Sequence, residues 1–66
     1  MRLRVNGEDH DLPDGIDVCG LVEALGAHPD GVAVAVNGEV VPRGEQRSRA
    51  LRDGDRVEVI RAVGGG

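Results

Sequence analysis

The stretch "DVCGLVEALG", residues 17–26, is the one part of this 66-residue chain that reads as a helix, and it sets what the rest must do. Val18, Leu21, Val22 and Leu25 fall at i, i+3, i+4 and i+7, which makes a single apolar stripe. Asp17 is placed to cap the N-terminus with its carboxylate, and Gly26 to end the helix in the left-handed region. Gly20, inside it, costs about 1 kcal/mol relative to alanine. So short a helix does not persist alone in water. Its stripe therefore needs a second layer, and the flanking sequence offers strands.

Upstream, "RLRV" (2–5) alternates Leu3 and Val5 against Arg2 and Arg4, the pattern of a half-buried strand. Asn6-Gly7 suits a two-residue type I′ hairpin, and "EDHDL" (8–12) returns as a weak acidic edge strand whose charges discourage edge-to-edge pairing. Downstream, "VAVAV" (32–36) is nearly continuous in apolarity, as an inner strand is. Asn37-Gly38 turns it into "EVV" (39–41), which Pro42 ends. "RGEQRSRAL" (43–51) is irregular, with room for one helical turn, and Leu51 closes it. "RVEVIRAV" (56–63) is the last strand, with Val57 and Val59 on one face and Glu58 and Ile60 on the other. Further Asx-Gly pairs at 14–15, 30–31 and 53–54 mark turns that tolerate positive φ. The order ββαββ, an irregular piece, then β predicts an α+β protein of the β-grasp type. A mixed sheet of four to five strands packs against one helix, with a right-handed crossover after the first hairpin. Residues 1–61 form the domain and 62–66 a flexible tail.

Composition narrows the function. Aromatic residues are absent, so the core is Val, Leu, Ile and Ala, and the single cysteine, Cys19, excludes an internal disulfide. Residues 1–33 carry seven acids against two arginines and residues 34–66 five against six, for a net charge of −4. That balance disfavours nucleic acid, which calls for a basic surface and often stacking aromatics. No run reaches membrane-spanning length and no apolar signal segment opens the chain, so a soluble, reducing, cytoplasmic setting and a monomer when free are expected. No metal site is expected, because Cys19, His10 and His28 sit in different elements without paired-ligand spacing. Cys19 reads as a small buried hydrophobe, and both histidines as facing water. No nucleophile–base arrangement is suggested, and "GGG" at 64–66 is not a phosphate loop, since no helix follows it. The domain is also small for a substrate pocket of roughly 300–1,000 Å³. An enzyme in its own right is not expected.

Two features stay open. Arg43, Arg47, Arg49 and Arg52 crowd one irregular stretch, which is either a solvated loop or a docking patch for an acidic partner. All eight basic residues are arginine. Codon usage explains that, and so would a function that tolerates no side-chain amine.

The tail carries the strongest functional signal. Extended, Ala62 to Gly66 spans roughly 16 Å. Ordering it costs on the order of 5–10 kcal/mol, which a partner must supply through main-chain hydrogen bonds. Without side chains, Gly64, Gly65 and Gly66 can pass a channel too narrow for Cβ atoms. Ile60 is either an apolar docking anchor or part of a second small core.

These residues resemble the ThiS family, the ubiquitin-like sulfur carriers of thiamin biosynthesis. The resemblance covers essentially the whole chain: "NG" after the first strand, the helix "DVCGLVEALG", "VAVAVNGEVVPR", "DGDRVEVI" and the terminal "GG". Ending on three glycines and lacking aromatics depart from the pattern. The resemblance implies that Gly66 is the reacting residue. An E1-like adenylyltransferase would use ATP and magnesium, bound by the partner and not by this chain, to convert the Gly66 carboxylate to an acyl-adenylate. A persulfide charged by a cysteine desulfurase would leave a thiocarboxylate there, and thiazole synthase would take the sulfur. Gly65, Gly64, Val63 and Ala62 would thread into both partners, with Ile60 docking against them. The small subunit of molybdopterin synthase and ubiquitin-like protein modifiers share the fold and the tail, and remain alternatives.

Overall fold

In the computed structural model, which describes residues 1–28 and 31–61, the expected elements form in the expected order. They are β1 (Arg2–Val5), β2 (Glu8–Asp11), α1 (Val18–Ala24), β3 (Val32–Val36), β4 (Glu39–Val41), a short 3-10 turn (Arg43–Glu45) and β5 (Arg56–Arg61). The five strands make one mixed sheet in the order β2-β1-β5-β3-β4. Its two outer hairpins are antiparallel, and β1 and β5 run parallel at its centre, with Arg4 opposite Arg56 and Val5 opposite Val57. One helix over such a sheet is the ubiquitin-like β-grasp arrangement.

Strict alternation places the core. Leu3 and Val5 of β1, Val34 and Val36 of β3, and Val57 of β5 turn inward against Val18, Leu21 and Val22 of α1, and all are buried. Leu51 and Val41 close the ends of this layer, and Leu25 and Val59 pack at its margin. Cys19 is buried, as its small apolar character predicts.

The helix is held at both ends by groups outside it. Asp17 accepts from Gly20 N at 2.6 Å, the cap that the sequence predicts. Two more amides of the first turn are taken up by the irregular segment: Val18 N donates to Arg49 O at 3.1 Å, and Cys19 N to Gln46 O at 3.2 Å. That segment is thus the N-terminal lid of the helix, bonding donors that a helix leaves unpaired. At the other end Gly26 adopts φ 80°. Gly26 N donates to Glu23 O and Ala27 N to Val22 O, the paired bonds of a Schellman termination.

Two expectations need correction. Gly20 is more than a tolerated weakness: a Cβ there would stand 2.9 Å from Ile16 Cγ1 and 3.2 Å from Asp17 Oδ1, so the chain entering the helix crowds any side chain at this position. His10 is half-buried on β2 rather than open to water, with Nε2 3.9 Å from Glu8 Oε2.

Candidate functional site

The sheet has one face under α1 and one face open, and the open face is divided. On β1 and β2 it is charged: Arg2 Nε lies 3.1 Å from Asp11 Oδ1 and Arg4 Nε 3.8 Å from Asp9 Oδ1, all four side chains exposed. The Arg2 guanidinium donates a hydrogen bond to Asp11 and places a positive charge beside it, which lowers the Asp11 carboxyl below the usual carboxylate range. On β3 and β4, and at Ile60 of β5, the same face is apolar, with the exposed Glu58 beside Ala35. Ile60 is 63% exposed and Val40 72%, the two large hydrophobic side chains left open among the described residues. Ala33 lies opposite Ile60, and Ala35 opposite Val40, so small side chains fill the space between the two larger ones. Among the described residues Ile60 is packed into no second core.

Ile60 sits near the end of β5 from which the tail leaves, whereas Val40, opposite Ala35, is level with Glu58 in the middle of that strand. Arg61 is the last described residue of that strand, paired with Val32. The sequence-predicted residues Ala62, Val63, Gly64, Gly65 and Gly66 lie outside the described residues.

The base of the tail is tied by a residue that sequence reasoning used only as a turn former. Asn6 has φ 51° and Gly7 φ 82°, as a type I′ hairpin requires. Asn6 N donates to Val57 O at 2.9 Å, continuing the parallel ladder one step past Val5. The Asn6 side chain then goes one step further. Val59 N donates to its Oδ1 at 2.9 Å, and its Nδ2 donates to Val59 O at 3.3 Å. An amide side chain with one acceptor and one donor reproduces the pair of groups that another strand residue would present. Asn37, with the same φ of 51°, makes the matching clamp at the other end of β5: Arg56 N donates to its Oδ1 at 3.0 Å, and its Nδ2 donates to Asp55 Oδ1 at 3.0 Å.

On the helix side a half-open cleft of about 890 Å³ runs between α1 and the 3-10 segment, lined by Cys19, Glu23, His28, Arg43, Gln46 and Arg47 among others. Its size reaches the range of small-molecule sites, against the expectation from chain length. Cys19 Sγ donates to Glu23 Oε1 at 3.5 Å, which occupies the thiol with a carboxylate. Gln46 is buried at 3% exposure, and its Oε1 has no hydrogen-bond partner among the described residues. Among the described residues no three His, Cys, Asp or Glu side chains are grouped to hold a metal. None of the described helices is long and apolar enough to cross a membrane.

Comparison with known proteins adds to this geometry. The family model described as "ThiS family" matches residues 3–66. A sulfur carrier protein ThiS of Thermus thermophilus is 40% identical over 62 residues, covering 94% of this chain and 95% of that protein. A thiazole synthase of Magnetococcus marinus is 39% identical over 66 residues, so the chain spans about a fifth of that relative's length, 20%. The crystal structure of a thiamine biosynthesis protein, ThiS, from Geobacter metallireducens superposes with a TM-score of 0.85 at 36% identity, with both chains fully covered (100%).

Proposed function

The chain belongs to the ThiS family, and on that premise we propose that it carries sulfur for thiamine biosynthesis on the carboxylate of Gly66. The observation that carries this reading is the extent of the match, which runs to residue 66 and so includes the glycine end. The body supports it by what it offers: an open apolar patch with Ile60 near the root of the tail, and a helix-side cleft whose thiol is occupied by Glu23.

In the proposed cycle an E1-like adenylyltransferase binds ATP and magnesium. A Gly66 carboxylate oxygen attacks the α-phosphorus, pyrophosphate leaves, and an acyl-adenylate forms. This step is needed because a carboxylate has no leaving group to lose, whereas AMP departs as a stabilised anion. The terminal sulfur of a persulfide, charged by a cysteine desulfurase, attacks the acyl carbon and AMP leaves. A second thiol then breaks the S–S bond, and Gly66 keeps the sulfur as a thiocarboxylate. Thiazole synthase is the acceptor, a role supported by the relative of that name whose longer chain contains a stretch like this one. The chain is a co-substrate: its partners supply the catalytic groups, while Ile60 docks and Ala62, Val63, Gly64 and Gly65 thread.

The test is to incubate the protein with an activating enzyme, ATP and a persulfide source, then weigh it intact. Replacement of one oxygen by sulfur at the C-terminus is expected, and deletion of Gly65 and Gly66 abolishes it. Ladders of lysine conjugates in cell extracts, with no thiocarboxylate, would instead identify a protein modifier.

A further inference from the structure

The two Asn-Gly turns are alike in backbone and differ in where their side chains act. Asn6 and Asn37 share φ 51°, and Gly7 and Gly38 follow at φ 82° and 83°. Each side-chain amide is bonded to β5. Asn37 holds its first residue, Arg56, while Asn6 holds Val59, two residues before the last described residue of the strand. On the β1 side the main-chain partners of β5 run out after Val57, whose carbonyl takes Asn6 N. The next residue whose main-chain groups face that side is Val59, and there the Asn6 amide gives and receives one hydrogen bond each. On the β3 side the ladder continues to Arg61 opposite Val32. Without the Asn6 amide, β5 would be held beyond Val57 from one side only.

We propose that Asn6 is a positioning residue for the tail: its amide stands in for one further residue of β1 and sets the direction in which β5 leaves the sheet. This inference rests on the reading that Gly66 is where the chain reacts. Direction matters because the reacting carbon is remote. An extended tail of this length reaches roughly 16 Å, so the direction of its root sets the region that its end can sample. A partner can straighten a misdirected tail, but only by spending binding free energy, so the loss falls on recognition and leaves the rate at saturation unchanged.

The paired turns supply the experiment. Asn6→Gly keeps a residue at home with positive φ and removes only the amide, and Asn37→Gly makes the same change at the other end of the strand. Both variants are checked for folding by thermal melting and assayed for thiocarboxylate formation with an activating enzyme, ATP and a persulfide source. For Asn6→Gly the KM for the carrier rises about tenfold, the scale of two ordinary hydrogen bonds, with kcat near wild type. The amide proton of Val59 also exchanges about tenfold faster. For Asn37→Gly the melting temperature falls by a comparable amount and KM is unchanged. Asn6→Asp, which keeps the acceptor for Val59 N and drops the donor, falls between, and it replaces Asn6→Gly should that variant not fold. Equal KM values for the Asn6 and Asn37 variants overturn the inference while leaving the sulfur-carrier reading intact. A wild-type protein that gains no sulfur overturns both.

Discussion

Replacing Ile60 by threonine separates docking from folding. Threonine is also β-branched, so β5 keeps its strand propensity. Position 60 lies on the open face, away from the cluster of Leu3, Val34, Val57 and α1. The change removes about two methylene equivalents of apolar surface, each worth about 0.8 kcal/mol when fully buried. Ile60 is 63% exposed, so that share is what a partner can still cover, and the expected loss is about 1 kcal/mol, or about fivefold in KM for the activating enzyme. Adding Val40→Thr, which removes about one methylene equivalent from a side chain 72% exposed, raises the loss to about 1.6 kcal/mol, or about fifteenfold. The assay follows pyrophosphate release as carrier concentration is varied, with a thermal melt of each variant beside it. The melting temperatures are expected to stay close to wild type, because neither side chain is in the core. A double variant with unchanged KM refutes the docking role of this face. A large fall in melting temperature refutes the division between an inner and an open face from which the magnitude was worked.

Three further outcomes test the body of the domain. Asp17→Ala removes the acceptor 2.6 Å from Gly20 N and costs about 1 kcal/mol, a fall of about 4–8 °C in melting temperature for a domain this small, while Asp17→Ser retains most of it. Gly20→Ala lowers the melting temperature although alanine is the better helix former, because the new Cβ would meet Ile16 Cγ1 at 2.9 Å; a rise would show that the helix entry relaxes freely. Acidification tests the pair on the charged half of the sheet. The folded-state pKa of Asp11 is lowered by the hydrogen bond and charge of Arg2, so its contribution is full above the unfolded carboxylate pKa and is lost as pH falls through the lowered folded value. Asp11→Asn therefore flattens the acid limb of the stability curve, measured by urea unfolding between about pH 6 and about pH 2, by a small amount since both partners are exposed.

Much of the architecture was legible in the residues because each element declares itself locally. Leu3 and Val5 alternate with arginines, and Val34 and Val36 alternate with alanines. The α1 stripe has helical spacing, and Asn6-Gly7 and Asn37-Gly38 name their hairpins. What escaped was non-local or carried by the backbone. The parallel pairing of β1 with β5 joins opposite ends of the chain, and no short window contains both. The lid over the helix N-terminus is made by the carbonyls of Gln46 and Arg49, which every residue possesses, so "RGEQRSRAL" gave no hint of it. The tight place at Gly20 depends on where Ile16 enters, and that is set by packing. The asparagines were visible as turn formers, but a positive-φ requirement says nothing about where the amide then reaches. Ile60 could not be assigned from alternation alone, which places it opposite Val57 and Val59 without telling whether anything covers that side. The tail was legible for another reason: its meaning lies in composition, three residues with no side chain at all.

The division of the open face follows from what each half must avoid. β2 is an edge strand at the outside of the sheet, and an apolar surface there would invite another chain onto its unpaired backbone. Asp9 and Asp11 beside Arg2 and Arg4 keep that half wetted at little energetic gain, since exposed pairs contribute little to stability. β4 is the other edge, and it carries Val40 exposed at 72%, a liability that a protein acting alone has no reason to accept. Val40 shares its row with Ala35 and Glu58, and Ile60 lies two residues nearer the end of β5. A transient partner there has two needs, enough apolar contact to hold the body and a tail already aimed. Ile60 and Val40 meet the first from one face of the sheet, and Asn6 meets the second from the strand edge. The contact must also be weak enough to break, because a carrier has to leave the enzyme that loads it before it meets the one that unloads it. Two aliphatic side chains with alanines and the exposed Glu58 between them suit that requirement better than a larger apolar interface.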